Sequence, residues 1–439
     1  MTRYDLGPTN AIDNVNQFRR PLPVCESRGR TLKIRIKEVA RGRYEVVAFG
    51  LDLPMGGRFP FAYLDADPEM VKGWIDDLHQ TWSTQVIEWQ DPATEGPEAN
   101  YRRPFTDAVD LSDVAGTAVE RMWHAVAAAG YQLFWQLFHN GGPALQALGE
   151  EVRTALWRRE QVVTFTSNDL VAPWSMLYVP RDGWHAPELG NVDPEAFLGF
   201  RHLVEHRFER EYDLDADIRF TGKRINASAY YDERLDGPGR GDTPTAVAAP
   251  VVATLARLSS THKATTRQTV GDHLTGDGAA AHLVYFCCHC VPSLNGEAYL
   301  RLPGDEDEGL ISAGDLGFWI GKAGGLRSSP LVLLNACQSG RLITASASQL
   351  GAVLLQRGAG CLLAPCVNIP ARFAAAFAED LFARILPAGR PLGPAVRSAV
   401  RAFAGEKRNP LGLTYSLYQG IDSHFCQMEN PDGLAAAGR

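Results

Sequence analysis

No run of apolar residues in this 439-residue chain approaches the length of a bilayer-spanning helix, so no membrane span is expected. The opening stretch MTRYDLGPTNAIDNVNQ lacks the apolar centre of a secretory leader. Basic charge is also short. Lys and Arg number 43 against 51 Asp and Glu, a formal net charge of -8, which argues against a general nucleic-acid-binding surface. The basic stretch RGRTLKIRIK is too sparse in charge to reverse that. No internal repeat is evident, which excludes a solenoid built by this chain alone. Regular cysteine spacing is missing too. The eight cysteines are Cys25, Cys287, Cys288, Cys290, Cys337, Cys361, Cys366 and Cys426, and six fall between 287 and 366, mostly in apolar runs. Three of them crowd into four positions, which does not suit a disulfide framework, so a reducing cytoplasm is the expected location.

What remains is an ordinary globular composition, 45% hydrophobic and 21% charged, in a chain longer than a typical single domain. Residues 1–95 read as a small α+β unit. TLKIRIKEVARGRYEVVAFG holds two alternating stretches around an Arg-Gly turn, and DPEMVKGWIDDLHQTWSTQ is an amphipathic helix entered through an Asp-Pro cap. The Pro- and Gly-bearing stretch QDPATEGPEANYRRP leads into a linker at 96–111. The main domain spans 112–430, with a helical N-terminal part (112–223) and a sheet-forming part (224–430).

In the second part, strands and helices alternate. RINASAYY, ATTRQTV, AHLVYFCCH, PLVLLNAC and GCLLAPCV read as strands, several of them continuously apolar. That pattern predicts an α/β fold with a mainly parallel sheet flanked by helices on both faces. Chemistry in such sheets gathers at the carboxyl ends of strands.

Two strands deliver reactive side chains there. One ends at His289; the other, LVLLNACQSG, ends at Cys337 before a Ser-Gly turn. A thiol beside a histidine can be held as a nucleophilic thiolate, although each residue alone also fits a structural role in a buried strand. The letters CCHC suggest zinc as well. Along an extended strand, however, Cys287 and His289 share one face and Cys288 and Cys290 the other, so four adjacent residues cannot close a tetrahedron. No metal or cofactor is expected. The acidic stretch LPGDEDEGL reads as a solvated loop tip, with a cleft rim that favours basic substrates as its alternative.

The segment VYFCCHC, with LLNACQSG 48 positions later, resembles the CHAT family of caspase-like cysteine peptidases. DLVAPWSMLY is similar to that family's Pro-Trp-Glu-Leu-Leu segment, and FLGFRHLVEHRF to the stretch after that segment. GLISAGDL and GAVLLQRGAGCLLAP are similar to the segments before and after the cysteine strand. The resemblance runs from about residue 112 to 426. It implies a caspase-like sheet, Cys337 as nucleophile, His289 as general acid/base, and an oxyanion hole from the backbone N–H groups of Cys290 and Cys337. It also implies a pocket walled by Asn368 and Cys366, with Asp315 as a candidate acid. The chain departs from the family at Cys290, where relatives have glycine, at Ser175 in place of Glu, and at CVNIP in place of Trp-x-x-x-Asp.

The expected function is therefore a cytoplasmic cysteine endopeptidase that cuts a dedicated protein substrate. The family implies a bacterial defence or regulated-cell-death setting and a separate sensor or activator protein, with residues 1–95 as the docking region. The other function classes are a catalytically silent adaptor on the same fold and a small-molecule hydrolase or transferase using the same thiol.

Overall fold

The computed structural model describes residues 29–53, 61–90, 103–209, 217–237, 246–292, 298–305, 308–337, 348–386 and 389–428. The chain begins with a three-stranded antiparallel meander of β1 (Leu32–Ala40), β2 (Arg43–Gly50) and β3 (Phe61–Asp65). Leu32, Ile34 and Ile36 point into the core while Lys33 and Lys37 stay exposed, the alternation read from the sequence. Gly42 closes the β1–β2 turn at φ +75°, a left-handed conformation that suits glycine. The helix Pro68–Trp82 packs beneath. It opens where Asp67 accepts the Glu69 N–H at 3.0 Å, and it buries Val71, Ile75, Leu78 and Trp82.

Next come the helices Gly116–Phe138 and Pro143–Arg158, then β4 (Val162–Thr166), β5 (Leu203–Arg207) and β6 (Asp217–Phe220). Trp174, between β4 and β5, is core: it stacks on Phe165 at 4.0 Å and donates its indole N–H to His206 Nδ1 at 3.1 Å. Gly130 is required in the longer helix, because a Cβ there would lie 2.2 Å from the Met176 carbonyl oxygen.

The C-terminal half holds β7 (Asn226–Tyr231), β8 (Ser260–Ala264), β9 (Leu283–Pro292), β10 (Ala298–Arg301) and β11 (Leu310–Ile311). It continues with β12 (Leu331–Cys337), β13 (Cys361–Pro365), β14 (Tyr415–Tyr418) and β15 (His424–Gln427). Strands β8, β7, β9, β12 and β13 lie side by side and parallel, and β14 closes that run antiparallel. The sheet then continues through β5, β4 and β1, each parallel to its neighbour, so β1 to β3 extend the same thirteen-stranded sheet among the described residues.

The segment ATTRQTV differs from its reading as a strand. β8 ends at Ala264, and a helix Arg267–Leu274 begins where Thr266 forms a capping box with Thr269. Threonines suit a strand by propensity, but here their hydroxyls cap the helix. Of the sequence-derived linker at 96–111, residues 96–102 lie outside the described residues, and Pro104–Asp107 form a short helix.

Both faces of the C-terminal sheet are covered. Leu283, Tyr285 and Cys287 of β9 enter one core with Val251 and Leu255 of helix Ala248–Leu258 and Phe377 and Leu381 of helix Ala371–Ile385. Val284, Phe286, Cys288 and Cys290 enter a second core with Leu316, Ile320 and Leu354, from helices Ala313–Lys322 and Ser348–Gln356. Each large apolar side chain fully buried this way stabilises the fold by roughly 1.5–3 kcal/mol. No helix among the described residues is long and apolar enough to cross a membrane.

Candidate active site at the ends of β9 and β12

β9 and β12 run in parallel register from Leu283↔Leu331 to His289↔Cys337. The two residues are direct neighbours across adjacent strands, whose spacing is about 4.8 Å. β12 ends at Cys337, but β9 continues to Pro292. The sequence pattern alone would end that strand at His289. The extension arises because β10 covers the other edge of β9, pairing Arg301 with His289 and Leu300 with Cys290.

Strand alternation then sorts the four-residue cluster. Cys287 is buried in the first core, while Cys288 and Cys290 are buried in the second. His289, in the same series as Cys287, is half-buried at the rim. The Cys290 side chain, 5% exposed, therefore fills the core on the face opposite His289. The Cys290 backbone is oriented differently. The Cys287 carbonyl accepts from Asp232 N on the β7 side, and the His282 carbonyl accepts from Leu331 N on the β12 side. Since successive residues alternate edges, the Cys290 N–H is turned toward the end of β12.

Directly below the pair lies a buried polar network that sequence reasoning missed. Asn335, 0% exposed, sits opposite Cys287 in the ladder. Its Nδ2 donates to the Ala374 carbonyl at 2.8 Å and to Tyr285 Oη at 3.3 Å, and its Oδ1 accepts from Tyr415 Oη at 2.6 Å. The signal was present: one amide within the apolar run LVLLNAC. Burial, and after it the nearby Cys287, raises the Tyr285 phenol well above its usual range. Burial also pushes the Cys287, Cys361 and Cys366 thiols up to about 12, so they are core hydrophobes rather than thiolates.

The residues read as pocket lining are spread out. Cys366 is 2% exposed, donates its thiol to the Thr414 carbonyl at 2.9 Å and touches Met176 Sδ at 3.6 Å. Asp315 caps helix Ala313–Lys322 on the second-core face of the sheet, accepting from the Ser312 N–H and hydroxyl and pairing with Arg267 at 2.6 Å. Burial alone would raise its carboxyl, but those donors outweigh burial and hold it below the usual range. The structure thus gives Cys366 a core position and Asp315 a capping role, and does not bring either to His289. Asn368 is half-buried and lies just past the carboxyl end of β13, the strand beside β12. On the far side of β9, Asp232 comes directly after β7. It is 1% exposed, and its carboxylate is forked to Arg234 at 2.8 and 2.9 Å.

Residues 239–427 match the family model of the CHAT domain, a span that includes β9, β12 and both candidate residues. The match leaves out 112–238, where the Trp174 segment and FLGFRHLVEHRF also bear a resemblance. No curated protein matches the chain. Two solved structures of the Saccharomyces cerevisiae separase–securin complex are similar at 10% identity, with TM-scores of 0.39 and 0.41, covering 88% and 90% of this chain. This chain spans 30% of the matched chain in each. Chaetomium thermophilum Raptor is similar over 46% of this chain and 22% of its own, at 12% identity and a TM-score of 0.24. The part of this chain that carries both His289 and Cys337, residues 239–427, is thus the part that is similar to CHAT domains.

Proposed function

We propose that this chain is a cysteine endopeptidase in which Cys337 is the nucleophile and His289 the general acid/base. The observation that carries the reading is the ladder pairing of these two residues at the end of β12, within the CHAT match. The Cys337 thiolate attacks the peptide carbonyl. His289 passes a proton to the leaving amine, and the Cys337 and Cys290 backbone N–H groups hold the oxyanion. Water then releases the acyl group. The orientation of the Cys290 N–H toward β12 supports its part. Asn368, beyond β13, is the proposed pocket wall.

The substrate in this reading is a dedicated protein, cut in a bacterial defence or cell-death response once a sensor or activator protein engages residues 1–95. The test is co-expression with neighbouring gene products, with new protein termini mapped for the wild type and for Cys337→Ala. Cleavage lost in Cys337→Ala supports the reading. Cleavage unchanged in that variant overturns it. No cleavage with any partner, alongside unaltered partner binding by Cys337→Ala, favours the adaptor.

A further inference from the structure

The last residues of β12 are held by the sheet on one edge only. Pairing with β13 covers Leu331–Leu333, whereas pairing with β9 runs on to Cys337. From Leu334 onward the β13 side has no ladder among the described residues, and β9 alone continues the pairing there. Asn335 lies within this stretch, and its side chain adds an attachment to the helix Ala371–Ile385 packed on that face of the sheet.

Because the Ala374 carbonyl can only accept, it fixes which end of the amide is Nδ2, and the Tyr415 hydroxyl must donate to Oδ1. Both phenols are themselves gripped by the helix that carries Ala374. Tyr415 stacks on Phe377 at 4.0 Å, and Tyr285 meets Phe382 edge-on at 5.4 Å. Every group in this cluster is neutral and fully buried, so the network fixes position without placing a charge beneath the site.

We propose that Asn335, oriented by Tyr415, is a positioning residue that sets the Cys337 thiol against His289, an inference that rests on the peptidase reading. Attack geometry is steep in distance, and a displacement of about 1 Å at a nucleophile lowers rate by around a hundredfold.

Asn335→Ala leaves buried phenols without partners and risks misfolding, so the decisive variant is Tyr415→Phe, which removes one hydroxyl and keeps the stacked ring. The measurement is the pH dependence of iodoacetamide alkylation at Cys337, resolved by mass spectrometry, with the partner that elicits cleavage present. A positioning role predicts a higher pH midpoint in Tyr415→Phe, with neutral-pH alkylation and kcat both about tenfold lower and KM unchanged, the effect of losing one buried hydrogen bond. Tyr285→Phe, which removes the longer bond, shifts in the same direction by less. If wild-type Cys337 is activated and Tyr415→Phe keeps its midpoint and kcat, the positioning role is wrong and the peptidase reading stands. If no partner elicits cleavage and wild-type Cys337 alkylates like a free thiol, the peptidase reading fails and takes the positioning role with it.

Discussion

His289 and Cys337 stand opposite one another in a parallel ladder, but the two strands treat them differently. β12 is described as far as Cys337, while β9 carries His289 within a strand clamped on its other edge by Arg301 of β10. The histidine side of the pair is thus fixed by sheet on both edges. Among the described residues, the cysteine side is held by β9 and by the Asn335 network below it.

The cysteine that replaces the family glycine should prove structural. Cys290 is buried in the core opposite His289, so Cys290→Gly removes packing and loosens the backbone while keeping the N–H. Urea unfolding should show a loss of about 1–2 kcal/mol, with kcat/KM for cleavage little changed. A large gain in activity would mean that the side chain obstructs the cleft after all.

Arg30 ties the start of β1 to the C-terminal half. Its guanidinium pairs with Glu205 of β5 at 3.0 Å and also with Asp422 after β14. Glu205 is 0% exposed and takes further bonds from Thr164 Oγ1 at 2.9 Å and Ile421 N at 3.1 Å. Arg30→Ala strands two buried carboxylates, and the expected cost is about 3–5 kcal/mol in urea unfolding. Adding Glu205→Gln should recover part of it. A loss near that of an exposed pair, under about 1 kcal/mol, would mean that the triad is solvated.

Three buried histidines give the fold an acid limit. Burial holds His79 and His206 down at about 4 and His202 at about 3. Their unfolded value is near 6.5, so the unfolded chain binds more protons between those limits. Stability is complete above pH of about 6.5 and falls as pH drops toward 4. His79 is the clearest probe, since neither ring nitrogen has a hydrogen-bond partner among the described residues. His79→Leu should leave the urea midpoint at pH 7 unchanged or higher, and should flatten the decline between pH 6.5 and 4. An equally steep decline in that variant would remove His79 from the explanation.

Much of this architecture is legible in residues taken locally. The apolar runs HLVYFCC and PLVLLNAC announce buried parallel strands, and alternation alone sorts Cys287 from Cys288 and Cys290, as the two cores bear out. Asp67 before Pro68 marks the helix that begins there. What could not be read depends on partners distant in sequence. β5 and β14 are five and four residues long, LVEHR and YSLY, too short to show a period, and only their neighbours make them strands. The continuity of β1 with the main sheet rests on pairing with β4, well over a hundred residues away. Asp315 is visible in the sequence as a candidate pocket acid, but its cap and its bond to Arg267 are not. Asn335 is a lone amide in an apolar strand, a signal that sequence reasoning passed over. Its meaning depends on Tyr415 and Ala374, which no local pattern connects to it.

The central claim is that Cys337 and His289 act as one unit, and a double-mutant cycle on a mapped cleavage tests it most directly. The quantities are kcat/KM for the wild type, Cys337→Ala, His289→Ala and the double variant. Residues that share one chemical step lose activity non-additively. A shared step predicts a fall of at least about a thousandfold in each single variant, with the double no worse than the more severe single. Cleavage persisting at the wild-type rate in Cys337→Ala, or losses that multiply in the double, would contradict it.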